Sequence, residues 1–150
     1  MSKPIRTIAR NKKARHDYEL LDSFEAGLVL TGTEVKSLRS GKASLREAHV
    51  RMQKNEAWLV GANIPTYTHG GMENHEPTRQ RKLLLSKREL KKLKQGIQEK
   101  GLTVVATQIY FKGPWVKLEI SLARGKKKQD KRESLKKSQD SREMDRARRR

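Results

Sequence analysis

The sequence contains no cysteine, which removes disulfides, thiolate metal sites and cysteine nucleophiles together. Aromatic side chains are scarce: two Trp, three Tyr and two Phe in 150 residues. They form no basic-aromatic ladder of the kind on which successive unpaired bases stack. No apolar run approaches the ~20 residues of a membrane span, neither end reads as a signal peptide, and the basic C-terminal stretch lacks the bulky apolar face of an interfacial helix. A cytoplasmic protein without membrane contact is the expectation. Acid is the other shortage, with 17 Asp and Glu against 36 Lys and Arg, a net charge of +19.

That positive charge is unevenly placed. Residues 1–16 carry six bases and no acid, and residues 125–150 carry 12 bases and five acids. The reading is therefore a basic N-terminal arm (1–16), a compact body (17–124) and a basic tail (125–150). The tail's clearly apolar side chains are Leu135, Met144 and Ala147, too few to offset the entropy of ordering it alone. Residues 126–150 contain neither Gly nor Pro, and Glu133 with Lys137 forms a helix-supporting i,i+4 pair. A helix there, polar all round, needs a polyanion to fold against. Nucleic acid is the default partner for such a chain.

In the body, alternation and turn residues point to short antiparallel strands. Residues 18–30 read as a bent strand pair broken at "EAG", with Gly27 permitting a bulge or close approach. Thr33 before Glu34 suggests a helix cap. "AHVRMQ" and "AWLVGANI" flank Lys54-Asn55 as a hairpin, and 65–80 reads as a loop with glycine and proline breakers. Ser86 with Glu89 makes a capping box for a helix whose Leu90, Leu93 and Ile97 share a face and which Gly101 ends. "LTVVATQIYF" and "WVKLEISLA" form a second, half-buried hairpin around Lys112-Gly113-Pro114. The aromatic residues are mostly assigned to the core. The fold class that results is mainly β with short helices: a closed antiparallel OB-like barrel, an architecture that removes exposed edges and whose surface commonly binds oligonucleotides.

Chemical motifs are few. "SGKAS" lacks the glycine a phosphate loop requires five residues before Gly41, where Lys36 stands. Asp22, Glu34 and Lys36 could hold a metal and activate water in a nuclease, but further converging carboxylates are wanted. His69, Glu73, His75 and Glu76 lack a recognised ligand spacing and read as loop polarity. Nothing resembles a helix-turn-helix or a zinc finger. A folded RNA recognised by shape and phosphate contact fits best.

Five stretches in order carry a resemblance: "NKKARHDY" (11–18), "FEAGLVLTGTEVKSLRSGKASL" (24–45), "NHEPTRQRKLLLSKREL" (74–90), "GLTVVATQIYFK" (101–112) and "LARGKKKQDKRE" (122–133). Together they resemble the SmpB family, the SsrA-binding proteins of bacterial trans-translation. The resemblance implies a non-enzymatic, monomeric RNA-binding barrel without metal or cofactor. It would grip the tRNA-like domain of transfer-messenger RNA (tmRNA) and deliver it to stalled ribosomes. Its tail, disordered when free, would become a helix in the small-subunit decoding centre and the empty mRNA channel, and the nascent peptide would be tagged for degradation. Elongation factor Tu and alanyl-tRNA synthetase would be met through the charged tmRNA.

The matching positions assign tmRNA contacts to Asn11, Lys12, Arg15, His16, Glu25, Glu34, Lys36, Arg39, Lys42, Leu84 and Lys117. They assign ribosome contacts to Arg124, Lys126, Lys127, Gln129, Asp130, Lys131 and Arg132. Gln129 stands where the family often carries a histidine or aromatic that stacks on a ribosomal base. Three other readings predict different binding: a general ribosome-associated RNA-binding protein, the metal-dependent nuclease, and a nucleoid-type DNA-binding protein.

Overall fold

A computed structural model describes residues 4–67 and 74–126. Its elements are β1 (Ile5–Arg10), α1 (Lys12–Asp17), β2 (Tyr18–Leu28), α2 (Gly32–Arg39), β3 (His49–Gln53), β4 (Glu56–Val60), β5 (Arg81–Leu84), α3 (Lys87–Lys100), β6 (Thr103–Lys112) and β7 (Trp115–Gly125). The strands pair in the order β1-β6-β3-β4-β5-β2-β7, and β7 also pairs with β6. Every pairing among these strands is antiparallel. Six of the strands thus close a ring, and β1 adds to the outer edge of β6. The expected mainly-β architecture with short helices is what forms.

The β6–β7 hairpin turns at Gly113-Pro114 and pairs along its full length. Leu118 and Ile120 of β7 point inward with Ile109 and Ala106 of β6 opposite them, joining Leu38, Leu59, Ile64 and Leu93 in the core. The strand is not half-buried throughout, as alternation suggested. Ser121 and Ala123, on its other face, are also buried, because α1 packs Ala14 against Ala123 and Val105. Alternation reports one covered face, and it cannot report a helix laid over the second.

Local chemistry explains the helices. Ser86 and Glu89 form the capping box of α3, and Gly101 closes it with a left-handed φ of 65°. Lys54 and Asn55 both take positive φ at the β3–β4 turn, the two-residue geometry that follows strand twist. For α2 the cap is Thr31, not Thr33. A capping box needs its hydroxyl three residues before the glutamate, and Thr31 with Glu34 satisfies both halves.

Three other expectations change. The supposed N-terminal arm is built into the sheet: β1 pairs with β6 from Ile5↔Lys112 to Arg10↔Gln108, and Ile8 and Ala9 pack on the core. Counting bases hid the apolar residues between them. Residues 18–28 form one long strand, not a pair. Its register shifts between Leu20 and Ser23, so the bulge lies at Leu21-Asp22, while Gly27 serves close approach, with an added Cβ lying 3.2 Å from Leu84 Cβ. The third is β5, a strand where none was expected. It is four residues long and pairs at two positions with each neighbour.

Gly61 has a φ of +81°, and an added Cβ would sit 2.3 Å from the Glu47 carbonyl oxygen. Gly61→Ala should destabilise the protein by about 2 kcal/mol or more, combining left-handed strain with a backbone collision. Gly101→Ala meets no atom within 4 Å and should cost only about 1 kcal/mol. Urea unfolding of the two variants checks the order; equal losses would mean the carbonyl contact is relieved freely.

Candidate nucleic-acid interface

Two residues assigned to RNA contact are buried and committed to the fold. Glu34 is 0% exposed. Its Oε1 accepts from Arg79 Nη2 at 2.6 Å and from the Thr31 N–H at 2.8 Å, while Oε2 accepts from Arg81 Nε at 2.5 Å. Arg81, equally buried, donates onward to the Ala62 and Pro77 carbonyls. Burial opposes ionisation of Glu34, but Arg79, the Thr31 N–H and Arg81 outweigh it and hold the carboxyl at about 2. Asn11, 2% exposed, caps α1 through Oδ1 and donates through Nδ2 to the Leu45 and Ala106 carbonyls at 2.6 and 2.9 Å. Neither side chain can reach an RNA. A sequence block shows that a polar residue sits at a place, not which way it faces.

The same geometry counts against the nuclease reading. Both Glu34 oxygens are taken by arginines, Asp22 sits at an exposed bulge, and Lys36 is exposed on α2. Among the described residues no three His, Asp or Glu side chains converge as a metal site. His69 and Glu73 lie outside the described residues. His75 is buried rather than loop polarity: Nε2 donates to the Ile64 carbonyl at 2.7 Å, and Nδ1 lies 2.9 Å from Thr33 Oγ1.

The outer face of β6, β7, β2 and β5 gathers Glu25, Leu84 and Lys117. Cross-strand partners share a face, and the register runs Tyr110–Lys117–Gly27–Leu84 across four strands. Adjacent to it, Gln108, Glu119 and Glu25 align. Glu25 and Glu119 stand directly opposite, an unfavourable pairing of like charges relieved by separate partners. Glu119 accepts from Thr107 Oγ1 at 2.7 Å and Gln108 Nε2 at 3.0 Å. Glu25 Oε2 accepts from the Tyr110 hydroxyl at 2.5 Å, and Lys112 Nζ lies 3.3 Å from both its oxygens.

The Tyr110 hydroxyl, and with it Lys112 and Lys117 against a partial burial cost, hold the Glu25 carboxyl below its ordinary range. Burial, and next the Glu25 carboxylate, push the Tyr110 phenol above its usual value, so at neutral pH it donates. The result is a fixed carboxylate among lysines beside an exposed leucine, able to accept from base amino groups or 2′-hydroxyls while the lysines take phosphate.

Tyr110, Lys112, Glu119 and Gln108 went unrecognised in the sequence. They are the polar phase of β6 and β7, the same phase as Lys117, and reading both faces of that hairpin would have found them. Trp115, assigned with the other aromatics to the core, is 62% exposed instead.

The remaining candidates among the described residues lie elsewhere. Lys12, Arg15 and His16 project from α1, where Lys12 joins Arg10, Lys13 and Arg46 along a shallow groove. Lys36 and Arg39 lie on α2, with Lys42 just after it. Arg124 Nη1 reaches Glu19 Oε2 at 3.5 Å, and the Lys126 N–H donates to the Asp17 carbonyl, so the chain leaves the sheet beside α1. Lys127, Gln129, Asp130, Lys131 and Arg132 lie outside the described residues.

A small closed antiparallel sheet, strongly basic and presenting a polar face with a fixed carboxylate, defines a nucleic-acid-binding module of the barrel class. Comparison with known proteins narrows the class. The family model described as "SmpB protein" matches residues 8–150. The SsrA-binding protein of Bifidobacterium longum (strain DJO10A) is 57% identical over 141 residues, 93% of this chain and 89% of that one. The SsrA-binding protein of Syntrophobacter fumaroxidans is 52% identical over 145 residues, covering 97% and 90%. A chain from the solved structure described as "tmRNA-SmpB: a journey to the center of the bacterial ribosome" superposes with a TM-score of 0.68 at 43% identity, over 85% of this chain and 93% of that one. The chain belongs to the SmpB family.

Glu34 also contributes to the acid response. Its folded pKa lies below the ordinary carboxyl value of 4.5, so its contribution to stability is complete above pH 4.5 and is lost as pH falls toward 2. Glu34→Gln should flatten stability across that window, and Glu34→Ala should cost roughly 3–5 kcal/mol at neutral pH by stranding Arg81. Urea midpoints measured from pH 7 to pH 2 check both, and an unchanged acid limb in the glutamine variant would remove Glu34 as its source.

Proposed function

We propose that this chain is a tmRNA-binding adaptor of trans-translation. The observation that carries the reading is the Glu25–Tyr110–Lys112 chain beside Lys117 and Leu84 on an exposed sheet face. Family membership supplies the RNA: the relatives are named SsrA-binding proteins, and the structural neighbour is described as tmRNA-SmpB in the ribosome. The face binds the tRNA-like domain, with Glu25 accepting hydrogen bonds and Lys117 and Lys112 contacting phosphate or sugar. Lys12, Arg15 and His16 on α1, and Lys36, Arg39 and Lys42 around α2, extend the basic surface.

The tail, from Arg124 and Lys126 through Lys127, Gln129, Asp130, Lys131 and Arg132, serves the ribosome. It enters the decoding centre and the empty mRNA channel, where its cations meet rRNA phosphate. Its point of departure suits this division. β7 runs from Trp115 to Gly125, so the Trp115 tip and the tail exit are separated by roughly 30 Å at about 3.3 Å per residue. The protein acts in the cytoplasm as a monomeric adaptor without catalysis, and meets elongation factor Tu and alanyl-tRNA synthetase through the charged tmRNA.

Competition binding at physiological salt, with the tRNA-like domain against bulk tRNA and duplex DNA, tests the reading. A strong preference should fall about 10- to 100-fold in Glu25→Ala, the cost of one charge-assisted hydrogen bond set. Equal affinity for all three nucleic acids would overturn it. With about six phosphate contacts the log–log salt slope should lie near −4 to −5. Removal of 125–150 should leave tmRNA binding intact and abolish peptide tagging; normal tagging by the truncated protein would refute the role given to the tail.

A titration of binding against pH separates Tyr110 from simple packing. Its hydroxyl lowers the Glu25 pKa, so Tyr110→Phe should lose affinity at a higher pH than the parent on acidification. Coincident acid limbs would show that the hydroxyl does not tune Glu25.

A further inference from the structure

Large apolar side chains stand exposed at five places among the described residues: Ile5, Leu21, Val29, Leu84 and Trp115. Single exposed hydrophobics need no explanation, but three of these share one face. The register aligns Ile5, Lys112 and Trp115 across β1, β6 and β7. Lys112 in turn reaches Glu25. Ile5 is 61% exposed and Trp115 62%. Leu84 closes the far side of the same face at 54%. Charged groups thus occupy the centre, with apolar groups at two margins.

Trp115 follows the Gly113-Pro114 turn directly, and that turn is tied down because the Gly113 N–H donates to the Pro4 carbonyl at 3.0 Å. The indole is therefore presented from a braced hairpin end, at little entropic cost on binding. A lipid surface would ask for more apolar area than one indole and one isoleucine give. A protein partner would ask for an apolar centre with a charged rim, and here that order is reversed.

We infer that Trp115, flanked by Ile5 and Lys112, is a stacking platform for one unpaired nucleobase of the RNA held on the Glu25–Lys117 face. A base offers an apolar π-face to the indole and polar edges to its surroundings, while its phosphate lies within the field of Lys112. The platform places an RNA loop, rather than a duplex, at the hairpin end, since a base inside a helix has no free face. Recognition then combines a carboxylate that reads polar edges with an indole that accepts any base. This inference rests on the proposed RNA-binding role of that face.

The test uses the full chain and the tRNA-like domain of tmRNA as probe. Trp58→Phe leaves Trp115 as the sole tryptophan, and its fluorescence should be quenched on binding at saturating RNA. Trp115→Ala should weaken binding roughly 5- to 100-fold, the range for loss of one base stack. Trp115→Tyr should recover most of that loss, whereas Trp115→Leu, apolar but not planar, should not. Unchanged thermal unfolding of the variants excludes a folding defect.

Binding within twofold of the parent in Trp115→Ala would overturn the inference, as would full affinity in Trp115→Leu. So would a concentration-dependent dimer that Trp115→Ala dissolves, which would make the patch a contact between copies. If Glu25→Ala and Lys117→Ala weaken binding while Trp115→Ala does not, only the platform falls. If none of the three affects binding, the RNA-binding role of the face falls with it.

Discussion

The closed ring depends on one buried ion cluster. Strand β5 is short and pairs at two positions with β4 and at two with β2, so backbone hydrogen bonds hold this seam weakly. Glu34 supplies what they do not. Through Arg81 it reaches the Ala62 and Pro77 carbonyls, and through Arg79 the Val29 carbonyl. One carboxylate thereby ties α2 to the ends of β4 and β2 and to the segment leading into β5. A buried charge of this kind is costly unless each oxygen is satisfied, and here each oxygen is. The cluster also fixes the direction of β5, and with it the placement of Leu84 on the outer face.

That outer face shows how one pair of strands serves two purposes. The inward phase of β6 and β7 fills the core with Ala106, Ile109, Leu118 and Ile120. The outward phase carries Tyr110, Lys112, Lys117 and Glu119. Glu25 and Glu119 face each other across β2 and β7 without conflict because Thr107, displaced at the β6 bulge, gives Glu119 its own donor. The irregularity in the strand and the tolerance of two adjacent carboxylates are one feature. The face lies toward one end of the hairpin and the tail departs from the other, which suits a protein that joins two large RNAs.

Legibility in the sequence followed the range of the interactions. The Ser86–Glu89 capping box, the Lys54-Asn55 turn and the β6–β7 hairpin are set by neighbours a few residues apart, and these were readable. The basic balance and the matched blocks were readable too, and they led to the family. Whether a polar residue faces RNA or the interior was not. Asn11 and Glu34 sit in matched blocks exactly as Lys12 and Lys36 do, yet the first two are buried and the others exposed. β5 was missed because it is four residues long and is held by partners, Glu34 among them, that lie outside any local pattern. Trp115 was misplaced because its strand is core-forming as a whole, while the first residue after the turn belongs to the outward phase.

The sequence by itself determined the strongly basic chemistry, the absence of thiols, the mainly-β class and the membership of a family, because each is a sum or a local pattern along the chain. Only the tertiary structure decided which polar groups became the frame and which became the surface. Glu34 turned inward because two arginines 45 and 47 residues away folded back to meet it. Glu25 stayed at the surface because Tyr110 and Lys112, 85 and 87 residues away, hold it there. The fate of a carboxylate depends on its partners, and a chain brings distant partners together only when it folds.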